Sequence, residues 1–420
     1  MSERMLFKPI RIGSLDVPGR VWKTATSETR ATADGFVGDE FIRFYEPIAW
    51  AGTPLIITGN LYVGFSGKPT YRNAGIDADD KIPGLTRLVD TVHRHGSLIV
   101  AQINHCGRQM NPEAIGVEHA LSASDVRDKA MFTKPRAMTI TEIQRTIEEF
   151  ASAAWRAKQA GFDGVQVHFA HGYLLSEFLT PHTNRRKDAY GGSFENRLRF
   201  PLEVMRAVRA RVGADYPVLA KINGADLLMV GNGLTTGELV RVAKVLEAEG
   251  LDALEISCGH YESGFPMIRG RFDTFFEDQM AEGAGQFMSS GMKFAARLAN
   301  KPLTAVANRL WPTKEGFNLE FARQFKSALQ IPVITVGGFY SESAMENAIR
   351  TGDTDVISIA RAMIADPFMV KHLREGTRGP QCDFCNGCIA RAGGKPVDCY
   401  NEALRPEREA MLAAAGFSAS

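Results

Sequence analysis

An α/β fold, a (β/α)8 TIM barrel followed by a short C-terminal cysteine-rich extension, is what this sequence predicts. Three observations carry the prediction. Short apolar runs alternate with longer amphipathic stretches through most of the chain, the pattern of a parallel sheet with crossover helices. The runs number eight, enough to close a barrel. An open doubly wound sheet would carry a glycine-rich phosphate loop after its first strand, and "VWKTATSETRA" has none.

The candidate strands, in order, are Val21–Ala25, Leu55–Thr58, Leu98–Gln102, Gly164–His168, Val218–Asn223, Ala253–Ser257, Val333–Val336 and Val356–Ile359. Several follow a helix-ending glycine and a turn, as in "KQAGFDGVQVH" and "LEAEGLDALEIS". Before the fourth strand, "TEIQRTIEEFASAAWRAKQAG" reads as a helix. Its apolar positions Ile143, Ile147, Phe150, Ala154 and Ala157 recur every three or four residues. Its entry "TITE" predicts Thr141 as the N-cap. Two loops are long, residues 104–137 and 258–292, and the second carries "GHYESGFPMIRGRFDTFF". In a barrel such loops rise at the C-terminal face and shape the pocket. The barrel is expected over residues 1–375 and the extension over 376–420.

The composition is that of a globular protein, 45% hydrophobic and 23% charged over 420 residues. Lys and Arg total 49 against 48 Asp and Glu, so no global field attracts nucleic acid or an anionic membrane. No apolar run approaches a membrane span, and "MSERMLFKPIRIG" lacks the apolar core of a signal peptide. A cytoplasmic location is expected. Cys106 and Cys258 stand alone and read as buried apolar thiols. The other four cysteines lie together in "QCDFCNGCIARAGGKPVDCY", spaced C-x2-C-x2-C-x10-C. In a reducing compartment such clustering points to metal or redox chemistry rather than disulfides.

The fourth strand leads into "VHFAHGYLLSEFLTPHTNRRKDAYGGSFENRLRFPLEV". His168 ends the strand; His171 and Tyr173 follow. This stretch resembles the Old Yellow Enzyme family of FMN-dependent oxidoreductases. The match runs through His168, His171, Gly172, Tyr173, Phe178, Asn184, Asp188, Tyr190, Gly191, Gly192, Ser193, Glu195, Asn196 and Arg197. Support comes from "AGTPLIITGNLYV", "AQINHCGRQ", "VITVGGF" and "SIARAMIADPF". The resemblance implies a flavin-binding barrel over roughly residues 5 to 375.

Two imidazoles at a strand's end can converge on one oxygen and stabilise charge developing there. By resemblance His168 and His171 do so, and Tyr173 protonates the substrate carbon opposite the flavin hydride. Lys221 matches the cation beside flavin N1 and the C2 carbonyl, where many relatives carry arginine. A lysine pointing into a barrel would be costly without an anionic partner. Gln102 matches the glutamine on the pyrimidine edge, with Gly59 and His168 also on the flavin. Gly337, Gly338, Ala360 and Arg361 match the phosphate cradle. The first strand departs from the family, reading Ala25, Thr26, Ser27 with neither proline nor cysteine. Ser27 would approach flavin C4=O or N5.

Three cysteines in a C-x2-C-x2-C turn plus a remote fourth suit a [4Fe-4S] cluster; four cysteine ligands also suit zinc. The segment is similar to the cysteine motif of the trimethylamine dehydrogenase and dienoyl-CoA reductase subgroup. That resemblance implies Cys382, Cys385, Cys388 and Cys399 as ligands of an electron relay at the barrel rim, open to an external carrier protein. The leading expectation is NAD(P)H-dependent reduction of an activated C=C. The alternatives are an amine-type dehydrogenase passing electrons through the cluster, and a non-catalytic flavin- or metal-binding scaffold. A small-molecule substrate is implied and a homo-oligomer is compatible with the sequence.

Overall fold

The computed structural model describes residues 4–263, 265–288 and 290–418. Eight parallel strands form the barrel: β1 Val21–Lys23, β2 Leu55–Ile57, β3 Leu98–Asn104, β4 Gly164–Phe169, β5 Val218–Asn223, β6 Ala253–Ser257, β7 Val333–Val336 and β8 Val356–Ile359. Each pairs with its neighbour in sequence. The ring closes where β8 meets β1, Ile357 opposite Val21. The outer helices are α1 Asp39–Trp50, α2 Ile82–Arg94, α3 Ile140–Gln159, α4 Phe194–Val212, α5 Thr236–Ala248, α6 Leu319–Lys326, α7 Glu342–Arg350 and α8 Met369–Glu375.

The predicted strands are all present, with the C-terminal ends of four shifted: β2 stops one residue short, at Ile57, and β4 runs one residue longer, to Phe169. β1 stops at Lys23, so Ala25, Thr26 and Ser27 lie in the loop beyond it. β3 continues to Asn104, because Leu61–Tyr62 adds a short parallel pairing to Ile103 and Asn104. Thr139, not Thr141, caps α3. Its hydroxyl accepts from the Glu142 backbone N–H while the Glu142 carboxylate accepts from the Thr139 N–H. The helix already begins at Ile140, which puts Thr141 inside the first turn, and Glu142 closes the reciprocal pair from three residues after Thr139.

Strand periodicity sets the barrel interior. Trp22, Leu55, Ile57, Val100, Leu219, Ala253, Ile334 and Val356 form a buried apolar layer. The hairpin Ile10–Ile12 and Leu15–Val17 packs Ile12 and Val17 into the same cluster and closes the floor. Two residues further along, the inward positions become polar: Thr24, Gln102, Lys221, Glu255 and Ser358, each buried. The floor is a packed core, and the mouth is a polar layer.

The extension wraps back onto the barrel. The Val397 N–H donates to the Glu28 carbonyl, and the Thr29 hydroxyl to the Lys395 carbonyl. Helix Arg405–Ala414 docks through Arg408, which donates to the Ile364 carbonyl and pairs with Asp398. Among the described residues, no helix is long and apolar enough to cross a membrane.

Candidate active site

His168, His171 and Tyr173 meet above the polar layer. The His168 ring lies 5.1 Å from His171 and 5.0 Å from Tyr173, edge-on to both. The Ala170 N–H points at His168 Nδ1 at 3.3 Å. With Nδ1 accepting, the neutral ring carries its proton on Nε2. His171 sits at φ +63°, a left-handed backbone unusual for a side chain of its size. Two side chains hold it there. Its N–H donates to Asn223 Oδ1 at 3.1 Å, and its carbonyl accepts from Gln109 Nε2 at 2.7 Å. His171 Nε2 lies 2.6 Å from the Ser257 hydroxyl at the end of β6.

Burial holds both imidazoles neutral. His171 is pushed down to about 3 by burial first, with Lys221 and then His260 adding to it. His168 falls well below its ordinary value through burial, His171 and Lys221. Tyr173 moves well above its ordinary value, through burial first and then the neighbouring Tyr261. Its hydroxyl lies beside the Tyr261 hydroxyl and the Asn60 side-chain amide. Tyr261 was not singled out in the sequence; only its glycine- and aromatic-rich loop was.

Beneath this triad runs a chain of buried hydrogen bonds. Gln102 Nε2 donates to Gln166 Oε1 at 2.7 Å, and Gln166 Nε2 donates to Glu255 Oε2 at 2.8 Å. Thr24 and Ser358 hydroxyls donate to Glu255 Oε1 at 2.5 and 2.6 Å. Lys221 Nζ lies 3.1 Å from Glu255 Oε2 and donates to the Thr24 hydroxyl at 2.8 Å. Burial pushes the Glu255 carboxyl up, but Lys221 and three hydrogen bonds outweigh it and hold the group below the usual range. Because a carboxylate only accepts, it fixes both amides: Gln166 must donate to it, and Gln102 must donate to Gln166. The carbonyl oxygen of Gln102 and its second N–H remain for a ligand. Glu255 also supplies Lys221 with an anionic partner, so burial of Lys221 alone no longer argues for a bound anion. A single glutamate in the apolar run "ALEIS" was the signal that sequence reading passed over.

The first-strand loop is held from below. Lys23 donates to the Thr24 carbonyl and the Thr26 hydroxyl, and Ser27 donates to Asn73 Oδ1 at 2.7 Å. The Gly59 N–H donates to Glu28 Oε1 at 2.6 Å and to the Tyr45 hydroxyl at 2.8 Å. At the far rim Gly338 takes φ +69°, and a Cβ there would come 2.7 Å from the Lys314 carbonyl oxygen. Ala360 precedes the short helix Arg361–Ala365. The Arg361 side chain does not point into this cradle: it donates to the Arg269 carbonyl at 2.8 Å and to Asn386, and lies over the Phe384 ring at 4.7 Å.

A flavin fits these residues. The rim carries buried polar atoms with no partner among the described residues, including Asn60 Oδ1 and both amide atoms of Asn104. A ring system with donors and acceptors along one edge would satisfy such groups.

The sequence profile of the NADH:flavin oxidoreductase / NADH oxidase family matches residues 5–308 and 291–379. This chain belongs to that family. The chain is 34% identical over 388 residues to an NADH oxidase of Thermoanaerobacter brockii, covering 91% of this chain and 53% of that one. It therefore spans about half the length of that relative. It is 33% identical to the 4,4'-dithiodibutanoate disulfide reductase of Rhodococcus erythropolis, over 91% of this chain and 92% of the relative. Among solved structures, a 2-naphthoyl-CoA reductase in complex with 2-naphthoyl-CoA superposes with a TM-score of 0.79 at 26% identity, over 96% of this chain and 58% of that one.

The four clustered cysteines come together beside Arg361. Cys388 is raised by burial first and then by Cys382, Cys385 and Cys399; Cys382 is raised to about 11 by burial, with Cys385 and Cys399 adding to it. The thiols are therefore within one another's field. Among the described residues, however, no group of three or more His, Cys, Asp or Glu side chains is arranged to hold a metal ion. Donor type and number fit a four-thiolate site; the arrangement as it stands does not close on one point. Cys106 and Cys258 are both fully buried.

Proposed function

We propose that the chain takes hydride from NAD(P)H and delivers it to an activated C=C of the enone or enoate kind. The observation that carries this reading is the convergence of His168, His171 and Tyr173 above the Lys221–Glu255 layer. Bound FMN supplies hydride transfer between nicotinamide and substrate carbon. Gln102, Lys221, Gly338 and the Ser27 loop would hold it, with His168 at its edge.

The division of labour among the side chains follows from their protonation. The two histidines are neutral, so they donate hydrogen bonds to the substrate's electron-withdrawing oxygen and cannot serve as acids near neutral pH. Tyr173 keeps its proton across the physiological range and gives it to the carbon next to the one that receives hydride. Asn60 and Tyr261 fix the direction of its hydroxyl. The names of the Rhodococcus relative and of the naphthoyl-CoA reductase both describe reductions, which supports this direction of electron flow.

Cys382, Cys385, Cys388 and Cys399 are read as the ligands of a [4Fe-4S] cluster, with zinc as the competing occupant. Spacing, count and mutual proximity support the reading. The same cysteines support a second reading, a dehydrogenase of amine-type substrates that passes electrons to a carrier protein.

One anaerobic titration separates the readings. Denaturation should release FMN, NAD(P)H should bleach the native flavin, and an enone should restore its colour. Bleaching by an amine and not by NAD(P)H would favour the dehydrogenase. A colourless protein would reject both.

A further inference from the structure

Arg361 was expected to share the phosphate cradle, yet its guanidinium is engaged elsewhere. It donates to the Ile268 carbonyl at 3.3 Å, the Arg269 carbonyl at 2.8 Å and Asn386. It faces the thiols of Cys382, Cys388 and Cys385. A different arginine stands free at the cradle.

Arg269 leaves the segment after β6. Its guanidinium carbon lies 5.4 Å from the Trp311 ring and 5.2 Å from the Phe317 ring. Phe317 belongs to the cradle. Its N–H donates to the Gly337 carbonyl at 3.2 Å, and a Cβ on Gly338 would touch its ring at 3.3 Å. One aromatic wall therefore carries the Arg269 charge and the Gly337–Gly338 turn. The backbone around Arg269 is pinned: the Gly270 N–H donates to the Trp311 carbonyl, and the Phe272 N–H to Asn308 Oδ1. Arg361 ties the Arg269 carbonyl to the end of β8. The ends of β7 and β8 are where barrels of this class hold phosphate.

The Arg269 side chain is half-buried, and its Nε is buried with no acceptor. Among the described residues no carboxylate pairs with it. Stacking on Trp311 and Phe317 accounts for where the stem lies, but gives its N–H groups no acceptor. A planar fork of donors left unpaired beside a glycine turn matches a phosphate.

We propose that Arg269 supplies the cation that binds the FMN phosphate, with the Arg361 side chain diverted to the cysteine segment. The proposal rests on the FMN reading above.

The test compares FMN with riboflavin, which lacks the phosphate, by fluorescence quenching on protein stripped of its flavin. Wild type should prefer FMN strongly. Arg269→Met keeps the stem against the two rings and removes the charge. It should lower FMN affinity about 10- to 100-fold, the loss of one charge-assisted contact, and leave riboflavin unchanged. Arg269→Lys should fall between. Arg361→Met should change the FMN-to-riboflavin ratio less than Arg269→Met does. Equal loss for both ligands in Arg269→Met would make Arg269 a packing residue, and unchanged FMN affinity would also overturn the proposal, as would the reverse order of the two methionine variants. Wild type that binds neither flavin would overturn the FMN reading itself.

Discussion

Lys221 and Glu255 pair at 3.1 Å inside the barrel mouth, on adjacent strands and in direct register. The pair is sealed: both side chains are almost wholly buried. It sits at the junction of every polar inward residue of the layer. Four groups, from Thr24, Gln166, Lys221 and Ser358, converge on one carboxylate.

Removing one partner of a buried pair leaves the other uncompensated. Glu255→Gln should therefore destabilise the fold by about 3–5 kcal/mol, read from chemical denaturation. Lys221→Met should cost a similar amount. Removing both charges together, as Lys221→Met with Glu255→Gln, should cost clearly less than the sum. Additive losses would mean that the two groups act independently and that the layer is not organised around their charges.

His171 is held neutral by burial first, with Lys221 and then His260 adding to it. A folded-state value of about 3 against an ordinary 6.5 means the native ring binds no proton above roughly pH 4. Two consequences follow. Binding of a phenolic ligand, whose oxygen mimics the substrate's, should show no break between pH 5 and pH 8 from imidazole titration. Stability should fall as pH drops below 6.5, because the unfolded chain takes up a proton there that the native site refuses. His171→Ala should weaken phenol binding by about 1.5–3 kcal/mol while FMN stays bound. An inflection near pH 6.5 in the binding profile would place a titrating histidine at the oxygen and contradict the buried neutral pair.

The strands and the His168–Tyr173 motif were legible because each signal is local. An apolar run of four to six residues after a glycine turn needs no partner to be recognised. The polar layer was legible only in part. Lys221 and Gln102 stood out through resemblance, whereas Glu255 and Gln166 matter through contacts with strands far away in sequence, which no spacing reveals. The misplaced cap at Thr141 shows the opposite failure. The information was local, in the glutamate three residues after Thr139, and the first-turn pattern was set two residues late. Arg361 and Arg269 illustrate a third limit. Both are arginines near a cradle, and only the fold decides which guanidinium is already bonded.

Tyr173→Phe removes the hydroxyl and preserves the ring that packs with Cys106 and Met110. Stopped-flow traces should show reduction by NAD(P)H unchanged. Reoxidation by a weakly activated alkene should slow by about 10²–10⁴-fold, the usual weight of a positioned acid. A strongly activated enone, whose carbon is protonated readily by solvent, should be slowed less. Equal slowing of both half-reactions would indicate that the hydroxyl supports the site's structure through Asn60 and Tyr261 rather than delivering a proton.

The cysteine segment makes the last prediction. Its thiols are all raised, by burial first, and those of Cys382, Cys385 and Cys388 also by neighbouring cysteines, so in the protein alone they are neutral near pH 7. Deprotonating four adjacent thiols needs a strong positive charge among them, and the nearby Arg361 supplies only one. Protein prepared anaerobically should contain about four iron atoms per chain and, when reduced, an iron–sulfur paramagnetic signal. Cys385→Ala should abolish that signal. FMN should remain, because Gln102, Lys221 and the Gly337–Gly338 turn lie on barrel strands that do not depend on the extension for their pairing. Thermal stability should fall as well: Val397, Lys395 and Asp398 tie the segment to Glu28, Thr29 and Arg30, so loosening the cysteines loosens the first-strand loop. One zinc and no iron per chain would reject the electron relay and make the segment a clamp on that loop. Enone reduction by NAD(P)H would then proceed at the barrel mouth without it.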